Sequence, residues 1–315
     1  MAQALALGDG ARGSTAPNPN VGCVIVRDGR LIGRGATQPG GRPHAEAVAL
    51  AEAGDGARGA TAYVTLEPCC HQSHRGPACA DLLVEAGAAR VVAALQDPWP
   101  AVDGGGFERL RAAGIEVEIG IGADEARRSM AGFLTRQRLG RPFITLKLAM
   151  SIDGRIALPS GESRWITGEE ARADVHRKRA RADMILVGRG TFEADSPRLD
   201  VRLPGLQHLS PRRVLLTRGE APSGWEKLGS PDDVFGLAEI NDLLVEGGAG
   251  AAAAFLGVDL IDRLLVYRAP ILIGEGRSAV GEVRLASLAD AHGRWQRTET
   301  RPLGTDILEV YERLR

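Results

Sequence analysis

The residues with the clearest chemical potential lie in the first quarter of the chain. His44 is followed by Glu46, and a proline precedes the adjacent thiols Cys69 and Cys70, with Cys79 farther on. This order is typical of zinc deaminases, in which one imidazole and two thiolates hold the metal and leave the fourth position to water. Zinc lowers the pKa of that water toward neutrality, which makes hydroxide available for attack on an amidine-like ring carbon.

Glu46 is predicted to transfer protons rather than to bind the metal. It would take a proton from the water, protonate the ring nitrogen and assist the loss of ammonia. If His44 and Glu46 both lie in the first turn of one helix, they are about 200° apart and converge only over the end of that helix. Considered one at a time, His44 and Glu46 could be ordinary helix-surface residues and the cysteines ordinary buried residues. Together they favour a catalytic zinc site over a closed structural one.

The choice of thiolates is less regular. Cys69 and Cys79 are separated by more residues than the C-x-x-C spacing of simple deaminases, and Cys70 competes as the first thiolate. We predict His44, Cys69 and Cys79 as ligands, because Cys69 directly follows proline. Cys23 lies in the middle of a predicted strand, and we expect it in the core.

An alternating pattern of strands and helices surrounds these residues. A hairpin over 21–37 precedes a helix from Pro43 to Ala53, and strands at 62–66, 90–95 and 115–119 alternate with helices at 78–86 and 107–113. A charged helical pattern at 123–141 ends at a glycine and a proline. Strand–helix alternation then resumes, with strands near 143–150, 183–188, 212–217, 242–246, 261–267 and 306–312. We therefore predict an α/β fold in two domains, residues 1–141 and 142–315.

The overall composition limits the possible partners. The chain has 315 residues, 44% hydrophobic and 25% charged, and 39 Lys and Arg nearly cancel 40 Asp and Glu. Without a global positive charge we expect no nucleic acid partner, and without a long apolar run or a leader we expect no membrane and a cytoplasmic location. A small-molecule substrate is the expected partner.

Several motifs resemble the bifunctional deaminase/reductase family of riboflavin biosynthesis over nearly the whole chain. In the first half they are Pro17–Val26, Pro43–Ala47, Tyr63–His71 and Asp97–Pro100. In the second half they are Lys147–Gly154, Ser163–Thr167, Ile185–Thr191, Asp195–Asp200 and Leu244–Gly248. The resemblance implies a three-layer α/β/α cytidine-deaminase-like domain with one Zn²⁺, followed by a dihydrofolate-reductase-like α/β domain that uses NADPH.

The resemblance also implies a reaction sequence and site residues. A diamino-ribosylaminopyrimidinone phosphate is deaminated, and its ribosyl group is then reduced to ribityl. Asn18 would hold the pyrimidine in the deaminase site, and the family suggests a homo-oligomer formed through the reductase domain. In that domain the substrate contacts would be Ser163, Arg179, Leu199, Arg202 and Glu246, and the cofactor contacts Ala149, Trp165, Thr191, Asp195, Gly248, Ala249, Gly250, Ala251, Ala252, Ala253 and Ala254.

The residues of the second half support this less strongly by themselves. A glycine-rich turn, 246–250, follows a strand and precedes an alanine-rich helix, which is a generic phosphate cradle. Lys147 lies in an apolar strand and needs a partner, for which Asp153 or the substrate are candidates. Two other functions stay open: an RNA or nucleoside deaminase, disfavoured by 4% aromatic residues, and a non-catalytic zinc-stabilised nucleotide-binding module, disfavoured by Glu46.

Overall fold

A computed structural model describes residues 1–71, 73 and 75–315 of the chain. They form two compact units, Met1–Gly140 and Arg141–Arg315, so the division falls after Gly140. Gln72 and His74, in the loop between Cys69 and Cys79, lie outside the described residues. Every helix in the described ranges is too short or too polar to cross a membrane.

The first unit is built around a mixed sheet in the order β2-β1-β3-β4-β5. Its strands are β1 (Gly22–Arg27), β2 (Arg30–Ala36), β3 (Thr61–Val64), β4 (Arg90–Ala93) and β5 (Glu116–Ile119). Its helices are α1 (Ala2–Gly10), α2 (Ala45–Ala53), α3 (Cys79–Glu85), α4 (Gly105–Ala112), α5 (Ala123–Ser129) and α6 (Ala131–Leu139). β1 pairs antiparallel with β2 and β3, and β3, β4 and β5 run parallel.

Close contacts at two strand glycines show that helices lie on both faces of this sheet. A Cβ on Gly22 would lie 1.9 Å from the carbonyl oxygen of Ala4 in α1, and one on Gly35 would lie 2.3 Å from that of Ala45 in α2. Gly35 pairs with Cys23, the neighbour of Gly22, so the two glycines face opposite sides of the pleat. The predicted three-layer arrangement is therefore present.

The second unit contains a sheet in the order β10-β9-β8-β11-β6-β12-β15-β14. Its strands, with a small separate pair formed by β7 and β13, are β6 (Phe143–Ser151), β7 (Arg155–Ala157), β8 (Met184–Gly188), β9 (Arg212–Leu216), β10 (Glu226–Leu228), β11 (Asp242–Val245), β12 (Arg263–Ala269), β13 (Arg277–Ser278), β14 (Trp295–Leu303) and β15 (Asp306–Arg313). Its helices are α7 (Glu169–Arg179), α8 (Arg189–Asp195) and α9 (Ala249–Gly257). Strands from β10 to β12 along the sheet are parallel, and β15 and β14 close one edge antiparallel.

Some local predictions differ from the structure. The sequence 167–170 predicts a capping box that starts at Thr167, and this prediction is wrong: Gly168 is the N-cap of α7, and its N–H donates to Asp306 Oδ2 at 2.6 Å instead. The charged pattern at 123–141 forms two helices that meet at Met130. β14 was not predicted, because it is an exposed edge strand with little apolar alternation.

Candidate active sites

Three predicted metal ligands meet at one end of the first sheet. His44 Nδ1 lies 3.3 Å from Cys79 Sγ and 3.5 Å from Cys69 Sγ, and all three ligand atoms lie within 4.8 Å of one another. His44 is the N-cap of α2, Cys69 follows β3, and Cys79 is the first residue of α3. The strand end and the two helix starts therefore bring the ligands together.

These distances fit a tetrahedral zinc ion. Bonds of about 2.0 Å to nitrogen and 2.3 Å to sulfur place neighbouring ligand atoms about 3.6 Å apart. The hydrogen bond from the Cys79 thiol, with a further contribution from His44, lowers the pKa of Cys69 to about 4. A thiolate is the form that binds zinc, so Cys69 suits the metal directly, whereas Cys79, whose pKa is raised by its hydrogen bond to Cys69 and by burial, loses its proton when zinc binds.

Cys70 lies apart from this cluster. Its Sγ atom is 3.7 Å from the carbonyl oxygen of Ala101. Within the described part of the chain, the ligand atoms that come close enough together to share a metal ion are those of His44, Cys69 and Cys79. Cys23 is fully buried among the apolar side chains of the first unit. The structure thus places the thiol after the proline, rather than its neighbour, beside the imidazole.

Glu46 is buried next to the metal ligands, with 3% of its surface exposed. Burial raises the pKa of its carboxyl, and the charge of His44 partly opposes this rise. His44 was expected inside the helix but has an extended backbone, with φ −71° and ψ 162°, because α2 begins only at Ala45. The imidazole can therefore reach the same space as the carboxyl without the separation that two helical positions would impose.

Asn18 faces the other side of the imidazole. Its Nδ2 atom donates to the carbonyl oxygen of Gly41 at 3.0 Å and lies 3.4 Å from His44 Nε2. Gly41 has φ +86°, and a Cβ there would lie 2.4 Å from the Asn18 side chain. The predicted pyrimidine contact is thus held beside the metal ligand by a glycine that no larger residue could replace without a shift.

Glu67 was not predicted as a functional residue. Its buried carboxylate accepts hydrogen bonds from the backbone N–H groups of Asp97 (3.1 Å), Gly104 (3.0 Å), Gly106 (2.9 Å) and Phe107 (3.3 Å). We refer to residues 97–104, between β4 and α4, as the covering loop. The available sequence signal was a glutamate that directly precedes the proline and cysteine of the metal motif.

The second unit contains a cleft of about 1210 Å³ at the carboxyl ends of its parallel strands. The predicted substrate contacts that line it are Ser163, Arg179, Leu199, Arg202 and Glu246, and the predicted cofactor contacts are Ala149, Trp165, Thr191, Asp195, Gly248, Ala249, Gly250 and Ala251. Ala252, Ala253 and Ala254 are not among the lining residues, and Ala252 is fully buried in the core of the unit. The inner face of α9 therefore packs on the sheet, and only its first residues reach the cleft.

A buried charge network lies at the floor of this cleft. Lys147 Nζ lies 3.4 Å from Glu246 Oε2, while Arg179 donates to both carboxylate oxygens at 2.7 and 2.9 Å. Burial alone would raise the pKa of Glu246, but the charges of Lys147 and Arg179 lower it to about 2. The partner of Lys147 is thus Glu246, whereas Asp153, the protein candidate named from the sequence, accepts from Ser151 and from backbone N–H groups at 273 and 274.

The start of α9 can accommodate a phosphate group closely. Gly248 is its N-cap, and the Gly248 N–H donates to Thr191 Oγ1 at 2.9 Å, which links this turn to the start of α8. A Cβ on Gly247 would lie 2.3 Å from the Cβ of Ala251, so this position requires glycine. A glycine turn at a helix N-terminus beside a strand end suits the diphosphate of a dinucleotide. The exposed ring of Trp165 lies at the edge of the same cleft.

Comparisons with known proteins agree with this division. A family model described as "Cytidine and deoxycytidylate deaminase zinc-binding region" matches residues 1–95, and one described as "RibD C-terminal domain" matches residues 142–224 and 236–308. The riboflavin biosynthesis protein RibD of Haemophilus influenzae is 40% identical, over 99% of this chain and 96% of its own length. That of Escherichia coli is 42% identical, over 98% and 96% respectively.

Solved structures resemble the whole chain as well. RibD of Acinetobacter baumannii has a TM-score of 0.91 at 40% identity, covering 100% of this chain and 98% of its own. A diaminohydroxyphosphoribosylaminopyrimidine deaminase/5-amino-6-(5-phosphoribosylamino)uracil reductase of Thermotoga maritima has a TM-score of 0.89 at 31% identity, covering 100% and 97%. The resemblance therefore extends across both units.

Proposed function

This chain belongs to the RibD family, the bifunctional deaminases and reductases of riboflavin biosynthesis, and from that membership we propose how its residues share the two reactions. The first unit is the zinc-binding deaminase domain and the second is the reductase domain. The observation that carries the proposal is the meeting of His44, Cys69 and Cys79 beside the buried Glu46. The proposed substrates are those in the name of the Thermotoga maritima enzyme: a diaminohydroxyphosphoribosylaminopyrimidine for the deaminase and 5-amino-6-(5-phosphoribosylamino)uracil for the reductase.

In the deaminase domain, His44, Cys69 and Cys79 hold the zinc ion. When bound, zinc activates water for hydrolysis of the ring amine. Glu46 takes up a proton released from the water and delivers protons to the ring nitrogen and to the departing amine, so that ammonia leaves and a carbonyl forms. Asn18, beside the imidazole, orients the pyrimidine for this reaction.

In the reductase domain, the cleft binds NADPH along the start of α9. The cofactor supplies a hydride for C1 of the ribosyl group. Thr191, Asp195 and the residues from Gly248 to Ala251 hold the dinucleotide, together with Ala149 and Trp165. Glu246, Arg179, Arg202, Ser163 and Leu199 contact the ribosyl-phosphate substrate, and the guanidinium groups among them suit its phosphate. Lys147 beside Glu246 supplies a positive charge close to this substrate position.

An assay of both activities on the purified full-length chain tests the proposal. Incubation with the diamino substrate should release ammonia without NADPH, and NADPH should be oxidised only when the deaminated product is present. Zinc-depleted enzyme supplied with the deaminated product should still oxidise NADPH, which separates the two domains. Absence of both reactions would refute the proposal.

We also propose that the chain forms a homo-oligomer through the reductase domain and works in the cytoplasm. The first point is inferred from the family membership, and Leu272 and Leu288, which are 76% and 78% exposed, are apolar side chains of this unit that such an interface would cover. Light scattering of the full-length chain, compared with a Leu272→Lys variant, measures the assembly. A monomeric wild type would refute it.

A further inference from the structure

Glu67 makes an unusual set of contacts for a residue outside the proposed chemistry. Glu67 is 3% exposed, and each of its two carboxylate oxygens accepts hydrogen bonds from two backbone N–H groups. Oε2 binds the first and last residues of the covering loop, Asp97 and Gly104, and Oε1 binds Gly106 and Phe107 in the first turn of α4. One side chain thus fixes both ends of the loop.

The covering loop lies directly against the metal ligands. Val102, in the second half of the loop, is 4% exposed and packs with Cys69 and Cys79. The loop also contacts Cys70, whose Sγ atom is 3.7 Å from the carbonyl oxygen of Ala101. The position of the loop therefore determines how closely apolar side chains surround the two thiolate ligands and where the competing thiol is held.

The start of α4 leaves little room for adjustment around Glu67. A Cβ on Gly106 would lie 2.0 Å from the carbonyl oxygen of Pro68 and 3.1 Å from Glu67 Oε1, so helix and metal motif are in backbone contact. The Cys69 carbonyl in turn accepts from the N–H of Ala80 in α3. A movement of Glu67 would thus be transmitted to Cys69 and to the helix that carries Cys79.

We propose that Glu67 is a positioning residue for the zinc site: by fixing the covering loop and the start of α4, it holds Cys69 and Cys79 at ligand spacing and keeps Cys70 away. It acts through the loop, since its own carboxylate is not part of the cluster of metal-ligating atoms. The inference rests on the proposed zinc ligands but concerns affinity for the metal rather than chemistry. Outer residues of this kind set the orientation of the direct ligands.

The Glu67→Gln variant tests this with little change in volume. One amide nitrogen would face two N–H donors, so half of the anchoring hydrogen bonds would be lost. Zinc affinity, measured by competition with a chromophoric chelator, should fall by about 10- to 100-fold. Glu118→Gln, an equal change of charge on β5 of the same unit, should leave it unchanged. Wild-type zinc affinity in Glu67→Gln would overturn the proposal.

A second measurement needs no variant and so does not depend on the folding of Glu67→Gln. If the fixed loop increases zinc affinity, zinc must increase the order of the loop by the same free energy. Removal of zinc from the wild type should therefore accelerate hydrogen exchange at the amides of Gly104, Gly106 and Phe107, relative to amides of β5. Equal exchange with and without zinc would overturn the proposal, whereas loss of ammonia release with normal coupling of zinc and loop would count only against the proposed function.

Discussion

His44 Nδ1 lies 3.3 Å from Cys79 Sγ although the two residues belong to the starts of different helices. The hydrogen bond that the Cys79 thiol donates to Cys69, together with burial, raises the pKa of Cys79, and the same hydrogen bond lowers the pKa of Cys69 to about 4. Folding of the first unit therefore brings the ligands together with Cys69 in the ionised form that the metal requires, and zinc binding releases the proton of Cys79. Because the folded chain itself arranges the zinc ligands, replacement of a single ligand should directly change zinc affinity.

Replacement of Cys69 or Cys70 by serine, one at a time, should show which of the two thiols binds zinc. Cys69→Ser removes a direct ligand, and its zinc affinity should fall by more than the roughly 10- to 100-fold that loss of an outer partner costs. Cys70→Ser should keep the wild-type zinc content, because its sulfur points to the carbonyl of Ala101. Metal analysis after dialysis measures both variants. Zinc loss in Cys70→Ser alone would reverse the assignment.

Glu46→Gln should lower the rate of deamination strongly without loss of zinc. The amide keeps the size of the carboxyl but cannot carry the transferred proton, and this type of catalysis contributes about 10²- to 10⁴-fold. Ammonia release measures the effect, and metal analysis shows whether the site is still occupied. Oxidation of NADPH with the deaminated product serves as the control, and it should stay at the wild-type rate. Ammonia release near the wild-type rate would remove Glu46 from this role.

The parts of the sites that could be predicted from the sequence are those set by the order and spacing of residues along the chain. The His44, Glu46 and Cys69 pattern and the strand–helix alternation are visible because spacing alone carries them. The pairing of Lys147 with Glu246 was not predicted, because β6 and the end of β11 become neighbours only in the folded sheet. Glu67 was not predicted for a different reason: its hydrogen-bond partners are backbone groups, and backbone groups leave no signal in the residue types of the sequence.

The charge network around Glu246 should make the stability of the reductase domain depend on acidic pH. Its folded pKa of about 2 lies below the ordinary value of 4.5, so its contribution is present above that value and is lost as pH falls toward 2. A shift of this size corresponds to about 3 kcal/mol. Urea unfolding between neutral pH and pH 3, followed by tryptophan fluorescence, should show a steeper loss for the wild type than for Glu246→Gln. Parallel curves would contradict the pKa.

Asp262 should contribute much more to stability than an exposed carboxylate in the same domain. It accepts from Arg141 at 2.7 and 2.9 Å and from the Ile144 N–H at 2.8 Å, and both side chains of the ion pair are nearly fully buried. Asp262→Asn leaves a buried guanidinium without its counter-charge, which typically costs about 3–5 kcal/mol. Glu226→Gln breaks the exposed pair with Arg212 and should cost at most about 1 kcal/mol. Urea unfolding of the full-length variants measures both, and equal losses would show that burial of the pair at Arg141 does not stabilise the start of β6.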